Sequence, residues 1–84
     1  MFSSEEIAEY NRALSEALRS ADPRRVRDVA ATWGKRLRNR GLLELARASD
    51  EVVERRMWMM IRDRPDLSEL HDEAEAWLAG HPPT

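Results

Sequence analysis

Met57-Trp58-Met59-Met60-Ile61 is the stretch on which the reading of this chain turns. On a helix, five consecutive large apolar side chains point in every direction around the axis, so one packed face cannot cover them. The helix that carries them reads from about Leu42 to Asp63, with Leu42, Leu45, Ala46, Val53, Met57 and Met60 on one side. At about 100° per residue, Leu43 and Ile61 lie to one flank of this stripe, Val52 and Met59 to the other, and Trp58 nearly opposite. The segment is therefore expected to be the central helix, wrapped on several sides by its own neighbours or by a second copy or partner.

Working outward, Gly41 precedes this helix as a C-terminal glycine able to take positive φ, and Asp63-Arg64-Pro65 stops it, because the residue before proline is pushed out of helical geometry. Upstream, Ser3 with Glu6 forms a capping box, and Phe2 and Ile7 stand at the two positions of a hydrophobic staple. A first helix is expected over 4–20, with Ile7, Tyr10, Leu14, Leu18 and Ala21 as one stripe. Asp22-Pro23 starts a second over 23–39, with Val26, Val29, Ala30, Trp33 and Leu37 facing the core. Downstream, Asp66 or Ser68 is expected to cap a last helix over 67–79, whose stripe is Leu67, Leu70, Ala74, Trp77 and Leu78. No period-two alternation runs for a useful length. The expected fold is all-α, a four-helix antiparallel up-and-down bundle over 1–80, followed by a proline-rich tail over 81–84.

With 84 residues, 36% of them charged, the chain is one thin-cored domain. It has no cysteine, which excludes disulfides and thiolate-held zinc and fits a reducing cytoplasm. No apolar run reaches the roughly 18 residues of a membrane span, and the N-terminus lacks the basic-then-apolar order of a signal peptide, so a cytoplasmic location is expected. Of the 14 basic residues only Lys35 is lysine, and there is no glutamine. That composition suggests a bacterial source with a high-GC genome, a thermophile, or both. The net charge of −2 is unevenly spread: residues 1–21 carry −2, 22–40 carry +5, 41–64 carry 0 and 65–84 carry −5.

No arrangement of residues pairs a nucleophile with a base. Ser15, Ser20, Ser49 and Ser68 lack the glycines of a nucleophile elbow. His71 and Glu75, four apart, could reach one metal ion, but a zinc site needs three or four ligands and a bundle di-metal site needs Glu-x-x-His on two helices. His81 has no neighbouring carboxylate in sequence. A helix-turn-helix reading across Asn39-Arg40-Gly41 would put Arg36, Arg40, Arg47 and Asp50 at positions that should be apolar, so an ordinary helical hairpin is expected there. A 34-residue helical repeat fits only at Gly41 and Pro65, and a single unit would lack the neighbours such repeats need.

Two binding readings remain. The first is a non-catalytic protein–protein interaction module, self-associating as a homodimer or meeting a helical partner, anchored by Met57, Trp58, Met59 and Trp77. The second is a small nucleic-acid-associated regulatory protein that uses Arg24, Arg27, Lys35 and Arg38 on the basic face of the second helix. Against the second stands the expectation that this face pairs with the acidic last helix, through Asp66, Glu69, Asp72, Glu73 and Glu75. No cofactor, metal or small-molecule substrate is indicated.

Overall fold

The computed structural model describes residues 3–82. Among these the fold is all-α, built from five helices rather than four: α1 (Ser4–Ser20), α2 (Pro23–Arg36), α3 (Arg40–Arg47), α4 (Asp50–Arg62) and α5 (His71–Gly80), with a 3₁₀ turn over Pro65–Leu70 before the last. The additional helix arises because the segment expected to run unbroken from Leu42 to Asp63 is interrupted at Ala48-Ser49. Ser49 takes extended backbone geometry and its Oγ accepts from the Val52 N–H at 3.3 Å, starting a new helix whose first turn holds Asp50 and Glu51. Negative charge at that end is favoured by the helix dipole, so the sequence Ser-Asp-Glu is locally a helix start.

The start signals at Ser3 and Asp22 act as expected. Ser3 Oγ accepts from the Glu6 N–H at 3.1 Å, and Asp22 Oδ1 accepts from the Arg24 N–H at 2.9 Å. The staple of Phe2 with Ile7 lies outside the described residues, and Ile7 itself is largely exposed.

The second helix ends earlier than expected, and Gly41 is not its terminator. The left-handed position falls on Arg38, φ 51°, with the Arg38 N–H donating to Lys35 O and the Asn39 N–H donating to Gly34 O. This pair of bonds is the Schellman closure that satisfies otherwise orphaned carbonyls at a helix end. Asn39 then caps α3, its Oδ1 accepting from the Leu42 N–H at 3.1 Å, and Gly41 lies inside the first turn of α3 without positive φ. The glycine with a structural task is Gly34. A Cβ there would stand 3.0 Å from the Leu43 side chain and 3.1 Å from its backbone nitrogen, so its absence lets α3 fold closely back onto α2.

Neither Asp66 nor Ser68 caps α5, which begins at His71 without a side-chain cap. The chain kinks at Leu67, φ −114° and ψ 32°, where it turns that side chain completely into the core. His71 holds the turn: its Nε2 lies 2.7 Å from the Arg64 carbonyl, which can only accept, so this nitrogen carries the proton. Arg64 in turn donates to Ser15 Oγ at 2.6 Å, tying the turn to α1.

α4 is the central element, in contact with α1, α2, α3, the 3₁₀ turn and α5. Val53, Met57, Trp58 and Ile61 are buried along it and join Leu18, Val26, Leu45, Leu67 and Ala74 in one core. Trp33 is buried apart from that cluster, between Tyr10, whose ring centroid is 5.9 Å away, and the Arg36 guanidinium 4.1 Å above its ring.

Candidate interaction surface

The four residues expected to anchor a partner fall in different environments. Met57 and Trp58 are taken up by the chain's own core, 0% and 5% exposed, and the Trp58 indole N–H donates to Glu54 Oε2 at 3.3 Å. Both side chains are packed inside the chain's own core and offer almost no surface to a partner. The break at Ser49 and the 3₁₀ turn supply covering surface that a plain four-helix reading omits. Trp77 is half-buried, and the His81 ring stacks on it at 4.0 Å, with its Nδ1 donating to the Trp77 carbonyl at 2.8 Å. Met59, 36% exposed, is left facing solvent together with Val52, 46% exposed, around a shallow hollow flanked by Arg55 and Arg56.

The expected basic face of the second helix also divides. Arg27 is a clamp: Nη1 donates to the Ala46 carbonyl at 3.2 Å and Nη2 to Asp50 Oδ1 at 2.7 Å, so it spans the break between α3 and α4. It satisfies a carbonyl at the C-terminal end of α3, although the exposed Asp50 pair adds little stability by itself. Arg24 lines a hollow with Asp22, Asp50 and Glu54, a setting whose three carboxylates disfavour a phosphate.

Lys35 and Arg38 instead meet two cations from the next helix. Together with Arg40, Arg47, Gly34, Leu43 and the lone acid Glu44 they line a cleft of about 470 Å³ at the junction of α2 and α3. With Gly41 as the corner, Arg40 would lie in the turn and Arg47 inside a long helix; with the turn at Arg38, both fall on α3 beside Lys35. The local fold explains their convergence. Arg40, Glu44 and Arg47 are spaced four and three apart, so they share the outer face of α3, while Leu42 and Leu45 turn inward and Leu43, at the edge of that face, packs against Gly34. The Gly34–Leu43 approach then brings that face beside Lys35, and the left-handed turn projects Arg38 at its rim.

The expected pairing of basic second helix with acidic last helix does not occur among the described residues. α5 packs on α4 and on the 3₁₀ turn, and the ion pairs of Arg25, Arg27, Arg36, Arg55, Arg62 and Arg64 are made with Asp22, Asp50, Glu9, Glu51, Asp63 and Asp66. Among the described residues no carboxylate lies within ion-pair distance of Lys35, Arg38, Arg40 or Arg47.

Ser15 Oγ accepts from Arg64, and both imidazoles donate to backbone carbonyls. The Tyr10 hydroxyl is pushed above its ordinary pKa by burial, an effect partly opposed by the nearby Arg64 guanidinium. Among the described residues no group of three His, Cys, Asp or Glu is placed to hold a metal ion, and no helix is long and apolar enough to cross a membrane. Comparison of the chain with protein families, with curated proteins and with solved structures finds no match.

Proposed function

We propose that the protein is a non-catalytic interaction module whose partner docks in the cleft between α2 and α3. The observation that supports this reading is the convergence of Lys35, Arg38, Arg40 and Arg47 around one concave surface, without a carboxylate in ion-pair reach among the described residues. Four positive charges gathered against the single carboxylate of Glu44 work against the folded state, and a bound anion relieves that repulsion. Retention on immobilised heparin, a generic polyanion, tests the reading. Despite its net charge of −2, the wild-type chain is expected to be retained at low salt, and Lys35→Ala/Arg47→Ala to pass through. Passage of the wild type would refute it.

Self-association through α4 is a second reading, supported by Val52 and Met59, which are exposed one heptad apart on the same helix face. Sedimentation across concentration tests it, with Met59→Glu as comparison. A wild-type chain that stays monomeric at every concentration removes this reading.

A further inference from the structure

From the chemistry of the cleft we infer that its ligand is double-stranded DNA, held by its phosphate backbone with α3 lying along the major groove. This rests on the interaction-module reading and names its partner. α2 and α3 are joined by only Leu37-Arg38-Asn39, and the Gly34–Leu43 contact holds α3 closely against α2, leaving Arg40, Glu44 and Arg47 exposed on its outer side. A helix lying in the major groove reads base edges with its exposed face while basic residues beside it contact phosphates.

The side chains on the outer face of α3 are suited to that task. Arg40 and Arg47 are fork-shaped donors for guanine edges or phosphate oxygens, and Glu44 between them can accept from a cytosine amino group. Lys35 and Arg38 flank them from the adjoining helix and turn, where phosphate contacts would fix register. Most of the net negative charge that would oppose a polyanion is carried by α5 and the 3₁₀ turn, which pack against α4 and contribute no residue to the cleft, where Glu44 is the one acid.

Duplex is favoured over single strand because the cleft offers no ring on which bases could stack. Single-strand binders line their grooves with exposed aromatics. Here no aromatic residue lines the cleft, Trp33 and Trp58 are buried, and Trp77 stacks on His81. An acidic protein segment would also be attracted to four cations, and it is therefore the competitor the experiment must separate.

Fluorescence anisotropy with a labelled duplex of about two helical turns, an equal-length single strand and a poly-glutamate peptide makes the separation, with circular dichroism checking the fold of each variant. Four phosphate contacts predict a slope of about −3.6 in log K against log salt, a loss of roughly two orders of magnitude in affinity between about 50 and 200 mM salt. Arg40→Ala/Arg47→Ala is expected to flatten the slope by about 2. Arg12→Ala/Arg19→Ala, which removes two exposed α1 arginines and so the same net charge, should leave it unchanged. Equal weakening by both double variants would overturn the assignment to the cleft, and equal or tighter binding of the single strand would overturn the duplex. Binding of poly-glutamate but not DNA would overturn the nucleic-acid inference and leave the interaction module standing. Binding of none of the probes, heparin included, would remove both.

Discussion

Replacing Trp58 by alanine should damage folding, not association. The side chain is 5% exposed in the isolated chain and lies in the core with Met57 and Ile61. A buried tryptophan removes about 150–250 Å² from water, and truncation of such residues costs about 3–5 kcal/mol once the cavity left behind is included. The indole N–H to Glu54, at 3.3 Å, adds no more than about 1 kcal/mol, since Glu54 can turn to water when its donor is gone. A chain of this length has a total stability of about 4–12 kcal/mol, so the substitution removes from about a quarter to all of it. The midpoint of thermal unfolding should fall by an amount on the order of 20 °C. Urea unfolding followed by circular dichroism at two protein concentrations measures this directly, and the loss should be the same at both. The reasoning is refuted if Trp58→Ala keeps the wild-type midpoint at low concentration and differs only where the wild type associates.

Three other expectations follow from particular positions. Gly34→Ala gains helix propensity of up to about 1 kcal/mol but drives a methyl against the Leu43 backbone nitrogen, and overpacking of about 1–3 kcal/mol should win, lowering the urea midpoint. Arg38→Gly relieves a left-handed φ of 51° and should stabilise by about 1 kcal/mol, read as a higher midpoint in the same assay. Because burial raises the Tyr10 pKa above its unfolded value, its contribution to stability is intact below pH 10.0 and is lost as the pH rises through the folded-state value; Tyr10→Phe should flatten the alkaline limb of a urea-midpoint profile.

Much of the fold can be read along the chain where the signal is local. Ser3 with Glu6 and Asp22 with Pro23 mark helix starts that need only their own side chains, and they act as such in the structure. The break at Ser49 was also within reach. Ser49-Asp50-Glu51 has the cap and charge order of a helix start, but the apolar spacing on either side of it forms one continuous stripe that masks the break. Arg38 gave no signal at all, since nothing in an arginine announces a left-handed turn, whereas Gly41 attracted that role and did not need it. Gly34 is the reverse case: a glycine inside a helix whose purpose appears only when Leu43 is seen against it.

The same limit applied to the candidate surface. The Met57–Ile61 run correctly marks the helix that everything else touches, but how much of its circumference the chain covers depends on α5 and on Leu67 turning inward at a kink. Arg27 looked free on a helical projection because its partners, Ala46 and Asp50, lie 19 and 23 residues away. The cleft could not be assembled from the second helix alone, since half its cations come from α3.

The central claim is that partners meet this molecule at the cleft between α2 and α3. Backbone amide chemical shifts of isotopically labelled protein, followed while duplex DNA is added at low salt, test it most directly. The largest changes should fall within residues 34–47, led by the segment from Lys35 to Arg40 and by Arg47. Changes confined to Val52, Met59 and Trp77, or to the outer face of α1, would contradict it.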